Sequence, residues 1–406
     1  MSENKKQILE GSNAIALTIK NISPAVVSAY PITPQTHIVE DLAKMKANGE
    51  ASFEYVRAES EFAAASIILG ASATGVRVYS ATSSQGLLLM TEVIYNISGM
   101  RLPVVITCAN RAVSAPINIW CDHSDVMSIR DAGWIQLFAT NHQEAVNQHI
   151  LAYKLAEKLK LPVMINVDGF ILTHSYEPVI IPSVKLINKY LPKYQPKNGT
   201  FLDPNNPVTL GAFFGPSTYM ETREALHNDL TNSLEIIKQE YKLLNKILGE
   251  KFNNSLENKK LSNHKNLSHI DNGLIEYYGP KNPETILVAM GSIVGTIQET
   301  IKNFKNVGLL KIKVYRPFPN EEILKIIKLT KNIAVLEKAI SLGQGGPLYL
   351  DIAASINSSK EIIKNKNNFN LKNYIVGLGG RDVNQKMLIN IIKDAPKKNN
   401  YLKFIS

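Results

Sequence analysis

Cysteine is scarce in this sequence: its 406 residues include only Cys108 and Cys121. Two cysteines cannot build a framework of disulfide bonds, and their spacing matches no CxxC zinc or redox motif. A cluster held by four thiolates is also excluded, because the chain supplies only two. Any iron–sulfur cluster that works together with this chain must therefore be bound by another polypeptide.

Long hydrophobic runs are absent as well. No apolar stretch approaches the roughly 18 residues that a membrane span needs, and the N-terminus mixes charges of both signs around a short apolar stretch, unlike a secretory signal. We therefore expect a cytoplasmic protein without a membrane segment. Hydrophobic residues make up 45% and charged residues 20% of the chain, which excludes wholesale disorder. At about 100–200 residues per domain, the length predicts two or three domains.

Acidic residues are outnumbered, since 45 Lys and Arg face 35 Asp and Glu and give a formal net charge of +10. Such an excess can attract nucleic acid, anionic lipid or an acidic protein. Many of the lysines, however, fall in Lys/Asn-rich segments at residues 185–197, 251–265 and 360–366. Because these segments are spread along the chain, they indicate solvated surfaces, and we expect no nucleic-acid binding.

Short apolar runs alternate with helical patterns through the first half of the chain, as in an α/β protein with a parallel sheet. Four of the runs are predicted strands, at residues 25–30, 76–80, 103–107 and 161–167. Each ends in polar or Gly/Pro-rich residues. Because ligands of open parallel sheets bind at the carboxyl ends of the strands, we expect the functional site there.

The rest of the chain divides at a polar stretch. Proline is dense in residues 176–217, which predicts an extended strap without a helix or central strand, and a long helical pattern follows at residues 219–248. A second α/β unit has predicted strands at residues 285–290, 310–315, 333–337 and 374–376. We predict a first domain of residues 1–250, a linker of residues 251–275 and a second domain of residues 276–406.

Several common motifs are incomplete. Gly70 and Gly75 have the spacing of a P-loop but lack its Lys-Ser/Thr pair, and residues 377–380 lack the full GxGxxG pattern and are better explained as turn glycines. Residues 122–125, Asp-His-Ser-Asp, contain potential metal ligands. Without an HExxH motif or clustered His and Cys, hydrogen-bonded loop residues are the better interpretation, and we predict no metal on this chain.

A helix start with two glutamates is more informative. Glu59 and Glu61 precede a helical segment built of Ala, Ser and Gly, which lets a neighbouring backbone or subunit come very close. The helix dipole and free N–H groups would explain either carboxylate without any function. A carboxylate at such a close contact is, however, shielded from water and suited to sharing a proton with a ring nitrogen. The residues alone leave open which glutamate has this role.

Seven motifs of the sequence occur in the same order as in a known protein family. They are Tyr30-Pro31-Ile32-Thr33-Pro34, Glu59-Ser60-Glu61, Ala81-Thr82-Ser83-Ser84-Gln85-Gly86-Leu87, Asn110-Arg111-Ala112 with Asp122-His123-Ser124-Asp125, Tyr315-Arg316-Pro317-Phe318-Pro319, Gly343-Gln344-Gly345-Gly346-Pro347 and Gly377-Leu378-Gly379-Gly380-Arg381-Asp382. Over nearly the whole chain the sequence thus resembles the 2-oxoacid:ferredoxin oxidoreductases, and in particular the alpha subunit of pyruvate:ferredoxin oxidoreductase.

The resemblance implies a thiamine-diphosphate enzyme with a shared cofactor site. This chain would supply a pyrimidine-binding parallel-sheet domain, followed by an α/β domain like the C-terminal domain of transketolase, while a beta subunit binds the diphosphate and its magnesium. The sequence agrees with that division, because Asp168-Gly169 follows Val167 and no GDG motif is present. The resemblance also implies gamma and delta subunits in the same complex, iron–sulfur clusters on partner subunits, and ferredoxin as electron acceptor.

Three residues match functional positions of the family. The resemblance implies that Glu61 hydrogen-bonds N1′ of the aminopyrimidine, and Glu61 rather than Glu59 directly precedes the small-residue helix. Thr33 would contact the substrate and lie near the cofactor. Arg111 would bind the substrate carboxylate, which suits a guanidinium that stays charged and forms two parallel hydrogen bonds. The alternatives are a helix-start carboxylate, a turn residue and a structural salt bridge.

The expected activity is the coenzyme A-dependent oxidative decarboxylation of pyruvate to acetyl-CoA and CO2 with reduction of ferredoxin, in complex with partner subunits, and the reverse direction is equally compatible. Residues 114–118 and 120–123 look most like the pyruvate members of the family. One alternative is the same chemistry on another 2-oxoacid, such as 2-oxoisovalerate or 2-oxoglutarate. The other is a non-catalytic assembly subunit that keeps the fold and binds no cofactor.

Overall fold

Two seven-stranded sheets and a two-stranded sheet form the framework of the chain, which a computed structural model describes for residues 5–252, 267–360 and 369–406. In chain order the strands are β1 Lys6–Glu10, β2 Val26–Ala29, β3 Glu54–Arg57, β4 Val78–Thr82, β5 Val105–Asn110, β6 Ile135–Phe138, β7 Val163–Asp168, β8 Tyr176–Ile180, β9 Leu267–Asp271, β10 Ile275–Pro280, β11 Thr285–Ala289, β12 Val307–Ile312, β13 Val314–Arg316, β14 Asn332–Glu337, β15 Asn370–Ile375 and β16 Leu402–Phe404.

Helices pack around these sheets. The described α-helices are α1 Gly11–Ile22, α2 Thr36–Ala47, α3 Glu61–Ala73, α4 Ser84–Leu89, α5 Thr91–Gly99, α6 Ser124–Ser128, α7 His142–Leu159, α8 Val184–Tyr190, α9 Tyr219–Leu248, α10 Ile293–Ile301, α11 Asn320–Ile327, α12 Pro347–Ser358 and α13 Gln385–Asp394. Single 3₁₀ turns lie at Glu250–Phe252 and Leu378–Gly380. In the described part of the chain, no helix combines the length and the apolar character needed to cross a membrane.

The first sheet has the strand order β13-β6-β7-β5-β4-β2-β3, and its strands are parallel except for β13, which pairs antiparallel with β6. Every residue of the central strands β5 and β7 is buried, as expected for parallel strands covered on both faces. Because the strands are parallel, the carboxyl ends of β2, β4, β5 and β7 lie at one edge of the sheet.

The second sheet has the order β16-β15-β14-β11-β12-β10-β9, parallel from β16 to β12 and antiparallel at β10 and β9. One continuous cluster of buried apolar side chains extends from the first sheet into the second. A buried ion pair also joins the two halves, since Lys311 on β12 lies 2.9 Å from Glu144 on α7. Lys311 lies in addition 3.3 Å from Glu276 on the neighbouring strand β10.

The α/β class predicted from the sequence is confirmed, and the four strands predicted in the first half correspond to β2, β4, β5 and β7. The long helix also has the predicted bounds. The strap prediction is wrong at one place, because Val184–Tyr190 forms α8. Tyr176–Ile180 forms the extended strand β8, which pairs with β1 in a two-stranded sheet and is not a central strand. The prolines flank this helix instead of interrupting it, and the one within β8 lies on a two-stranded edge, where a missing N–H is tolerated.

The predicted linker is only partly described. Residues 253–266, together with most of the Lys/Asn-rich segments at 251–265 and 360–366, lie outside the described residues. Leu267–Asp271, within the predicted linker, forms the edge strand β9 of the second sheet, and β10 begins at Ile275. The boundaries at residues 250 and 276 stay a prediction, and β13 of the second half crosses that division by joining the first sheet.

Candidate active site

The carboxyl edge of the first sheet gathers the predicted site residues. Thr33 lies in the turn after β2, Glu61 begins α3 after β3, and Arg111 follows β5 directly. The tight turn at residues 82–86, which runs from the end of β4 into the first turn of α4, lies among them. The sheet topology therefore brings together side chains that are up to 78 positions apart in the sequence.

Arg111 and Thr33 are in direct contact. The Nη1 group of Arg111 donates a hydrogen bond to the backbone oxygen of Thr33 at 2.8 Å, and its Nη2 group donates to Oε1 of Gln85 at 3.3 Å. The arginine is buried, while Thr33 is exposed and contributes its carbonyl instead of its hydroxyl to this contact. Burial lowers the pKa of the Arg111 guanidinium, and Asp125 acts in the opposite direction.

Asp125 organises the site, a role that the sequence did not reveal. Its carboxylate accepts hydrogen bonds from the backbone N–H groups of Arg111 and Ser84, each at 3.0 Å, and from Nδ2 of Asn110 at 3.1 Å. Burial raises its pKa, and these hydrogen bonds oppose the shift. Asp125 thus ties the end of β5 to the 82–86 turn. The hydrogen bonding expected for residues 122–125 is present, although Ser124 and Asp125 belong to helix α6 and not to a loop.

Glu61 lies on the other side of the same turn. Ser60 caps α3, with its side chain accepting a hydrogen bond from the N–H of Ala63 at 3.2 Å, and Glu61 is the first residue of the helix. The Glu61 side chain is 7% exposed and so close to the turn that a Cβ at Gly86 would lie 2.7 Å from Oε1 of Glu61. Glu59, in contrast, is exposed. Arg111 contacts the same turn through Gln85. The structure therefore brings Glu61 and Arg111 to one turn, without direct contact between these two side chains.

Buried polar atoms without a partner line this edge. Among the described residues they include the hydroxyls of Thr82 and Ser83, Oε1 of Gln35 and Nε of Arg111. Unpaired buried polar groups are costly unless a ligand or partner satisfies them. A polar ring next to Glu61 and a carboxylate next to Arg111 would both fit such an environment, so the residues present suit a heteroaromatic cofactor and a carboxylate substrate.

The second half supports one loop of the site. Nδ2 of Asn118 donates to the carbonyl of Gly379 at 3.1 Å, and the N–H of Gly380 donates to the carbonyl of Cys121 at 2.9 Å. A Cβ at Gly380, which has φ +81°, would lie 2.3 Å from Cβ of Trp120. The glycines of the 377–382 motif thus allow the two backbones to meet closely.

Two groups of three potential metal ligands lie in the described part of the chain: Glu10 with His37 and His174, and Cys121 with His123 and Asp168. In the second group Nζ of Lys338 lies 2.7 Å from Oδ2 of Asp168 and 3.8 Å from Sγ of Cys121, so a side-chain cation already occupies that position. In the first, Nδ1 of His37 bonds Oε1 of Glu10 at 2.7 Å.

Comparison with known proteins identifies the two halves. Residues 18–242 match the thiamine-diphosphate-binding domain of pyruvate flavodoxin/ferredoxin oxidoreductases, and residues 283–388 match core domain II of pyruvate:ferredoxin oxidoreductase. The half that carries the candidate site is therefore a thiamine-diphosphate-binding domain. As relatives show along the full length, the chain belongs to the pyruvate:ferredoxin oxidoreductase family.

Among these relatives are subunits of pyruvate synthase and of ketoisovalerate oxidoreductase. The chain is 44% identical over 399 residues to pyruvate synthase subunit PorA of Methanocaldococcus jannaschii, covering 96% of this chain and 95% of the relative. It is 41% identical to subunit PorA of Methanosarcina barkeri, covering 97% and 93%. It is 38% identical to ketoisovalerate oxidoreductase subunit VorA of Pyrococcus horikoshii, covering 97% and 94%.

A solved structure shares the fold. It is a 2-oxoglutarate:ferredoxin oxidoreductase from Magnetococcus marinus, which superposes with a TM-score of 0.67 at 18% sequence identity. The match covers 97% of this chain and 65% of the neighbour's chain. This likeness confirms the α/β fold class.

Proposed function

We propose that the chain is the alpha subunit of a pyruvate:ferredoxin oxidoreductase. The complex converts pyruvate and coenzyme A into acetyl-CoA and CO2, releases a proton and passes two electrons to ferredoxin. The full-length similarity to two PorA subunits supports this assignment. The structural observation that carries it is the placement of Arg111, which Asp125 and Thr33 fix at the strand edge while its buried Nε–H has no partner.

Arg111 binds the carboxylate of the 2-oxoacid. Its Nη1 group is engaged by the carbonyl of Thr33, so the neighbouring Nε–H remains as a donor for a substrate oxygen. A buried guanidinium is a strong partner for a carboxylate because the hydrogen bonds are charge-assisted. Thr33, which is exposed in the turn after β2, contacts the substrate and lies near the cofactor.

Glu61 exchanges a proton with the cofactor. Thiamine diphosphate, when bound, supplies a carbon nucleophile for the 2-oxo group and an electron sink after CO2 departs. The Glu61 carboxylate, buried at the start of α3, hydrogen-bonds a nitrogen of the aminopyrimidine ring and moves a proton to and from it. Gly86 leaves the space in which that carboxylate lies, and the unpartnered hydroxyl of Thr82 borders it.

Partner subunits complete the enzyme. The small-residue helix α3 has an exposed side with Phe62 41% exposed and open space around Gly70, and Leu89 and Tyr95 expose apolar surface on α4 and α5. A beta subunit packs on this surface and binds the diphosphate and its magnesium ion. Iron–sulfur clusters lie on partner subunits of the beta, gamma and delta type, since this chain has only two cysteines and both are buried.

A second substrate has specific support. The 38% identity to a ketoisovalerate oxidoreductase subunit favours 2-oxoisovalerate as an alternative substrate of the same site. Pyruvate is preferred, because the PorA relatives are more similar to this chain.

The test is the substitution Glu61→Gln in the complex purified anaerobically with its partner subunits. Viologen reduction with coenzyme A and pyruvate, 2-oxoisovalerate or 2-oxoglutarate measures turnover. We expect pyruvate to be the best substrate of the unaltered complex, and Glu61→Gln to lower turnover by about 100- to 10,000-fold, the usual contribution of acid–base catalysis.

Glu59→Gln is the matched control, since this exposed neighbour lies just outside the helix. It should leave turnover unchanged. An assembled Glu61→Gln complex with full turnover would contradict the catalytic role of Glu61. If the chain co-purifies with no partner and oxidises none of the three acids, the proposed activity fails and only the fold assignment remains.

A further inference from the structure

A buried charge cluster lies where the carboxyl edges of the two sheets meet. Asp168 ends β7 of the first sheet, Lys338 follows β14 of the second, and Ser292 precedes α10. Nζ of Lys338 donates to Oδ2 of Asp168 at 2.7 Å and to Oγ of Ser292 at 3.0 Å, and the N–H of Ser292 donates to Asp168 at 3.0 Å. Asp168 and Lys338 are both almost fully shielded from water.

The cluster stays ionised. Burial alone would raise the pKa of Asp168, but Lys338 and His123 hold it well below its usual value. Burial would lower the pKa of Lys338, and Asp168 raises it above its usual value. Gly291 makes room for the carboxylate, since its φ is +75° and a Cβ there would lie 2.6 Å from Oδ1 of Asp168. The second half thus places a permanent cation against the end of a first-sheet strand.

The cluster continues into the substrate end of the site. Nε2 of His123 lies 2.8 Å from Oδ1 of Asp168, and the N–H of His123 donates to the carbonyl of Lys338 at 2.8 Å. His123 is fully buried and lies two positions before Asp125, whose carboxylate holds the backbone N–H of Arg111. The carbonyl of Lys338 therefore fixes the backbone of His123, and its side chain fixes the imidazole ring indirectly, by holding Asp168. Through this short segment both contacts position the start of α6.

We propose that Lys338 is a positioning residue of the 2-oxoacid site: by fixing Asp168 and His123 it sets the position of Asp125 and hence of Arg111. The inference rests on the proposed function for the identity of the substrate, and on the contacts above for the mechanical link. It assigns a role in substrate binding to the second half of the chain, which contributes no residue to the predicted catalytic set.

The first test compares Michaelis constants in the assembled complex. In Lys338→Met, we expect KM for pyruvate to rise about tenfold while kcat per assembled complex changes less than threefold, because Arg111 binds the substrate before chemistry. Ser292→Ala keeps both charges and removes the hydroxyl that donates to Asp168 and accepts from Lys338, so it should fold and raise KM in the same direction by a smaller factor.

Lys311→Met is the matched control. Lys311 is equally buried and also joins the two halves, through Glu144, but its ion pairs with Glu144 and Glu276 do not lead to the 122–125 segment. It should weaken the fold without changing KM. Equal KM values in Lys338→Met and the unaltered complex, or an equal rise in Lys311→Met, would overturn the proposal.

The second test needs no substrate. Hydrogen–deuterium exchange of the complex should show faster exchange in residues 111–125 for Lys338→Met, and unchanged exchange in those residues for Lys311→Met. Unchanged exchange in Lys338→Met would refute the mechanical link whatever the substrate proves to be. If the unaltered complex oxidises none of the three 2-oxoacids, the proposed function fails, while this measurement still decides the positioning role.

Discussion

Gly86 determines how near the Glu61 carboxylate lies to the end of β4. The turn has no space for a side chain, because a Cβ at Gly86 would come within 2.7 Å of both Oε1 of Glu61 and the hydroxyl of Thr82. We expect Gly86→Ala to displace the carboxylate and to lower turnover by about 100-fold, the usual cost of shifting a catalytic group by roughly 1 Å. Viologen-coupled turnover of the assembled complex measures this.

Gly295→Ala provides the control for that substitution. Gly295 is exposed on α10 and has no atom within 4 Å of the added Cβ, so activity should persist, and the free energy of unfolding should rise by up to about 1 kcal/mol through helix propensity. Full turnover in Gly86→Ala would show that the Glu61 carboxylate is not held where the reaction needs it.

The sequence predicts the roles of some site residues and not of others. Sequence reasoning left Glu59 and Glu61 open until the family resemblance favoured the second, and the structure separates them by burial. Asp125 was noted only as a loop residue, because an acid in a short polar motif has no periodicity that marks its partners. Its hydrogen bonds come from segments 14 and 41 positions away, which only the folded sheet brings together.

At the scale of single elements, His149 on α7 links the helix to the sheet. Its ring contacts Oγ1 of Thr107 on β5 at 2.6 Å and the carbonyl of Ala145 at 2.6 Å, and Thr107 contacts the hydroxyl of Tyr79 on β4 at 2.7 Å. Burial lowers the pKa of His149 to about 4. The folded chain therefore holds this histidine neutral at pH values where the unfolded chain is protonated.

Because the pKa of His149 is lower in the folded chain than in the unfolded chain, the stability of the fold decreases at low pH. Stability from His149 is complete above the unfolded pKa of about 6.5 and is lost as the pH falls toward 4, by about 1.4 kcal/mol for each pKa unit. We expect the chain to lose roughly 2 kcal/mol more stability between pH 7 and pH 5 than a His149→Gln variant does. Urea unfolding at both pH values measures the difference, and parallel pH profiles of the two proteins would contradict it.

The helices and strands that the sequence predicts best are long or strongly apolar. Helix α9 has 30 residues with a regular pattern, and β5 and β7 are fully buried runs. The missed strands β3 and β6 have four residues each, and charged or amide side chains break their apolar pattern, whereas the equally short β2, VVSA, was predicted. Helix α8 was missed because the surrounding prolines suggested an extended chain, although they lie outside its ends.

At the scale of the whole molecule, Lys311 tests how firmly the halves are joined. It is 1% exposed, between Glu144 and Glu276. Removing one member of a buried ion pair leaves an uncompensated charge, so Lys311→Met should lower the free energy of unfolding by about 3–5 kcal/mol. Denaturant unfolding of the full chain checks this value.

Lys302→Met is the comparison, because Lys302 pairs with Glu299, which is 60% exposed, and such surface pairs contribute less than about 1 kcal/mol. If both substitutions cost the same small amount, the buried pairs do not hold the halves together.

Strand β13 limits how the protein can be recombined. It belongs to the second half by sequence, yet Val314 pairs with Leu137 and Arg316 with Gln136 at the margin of the first sheet. A chimaera of two related proteins, joined between residues 252 and 267, takes β6 from one parent and β13 from the other. Its folding therefore depends on whether these two short strands can still pair. A first half produced without this strand presents an open edge to other chains and invites aggregation.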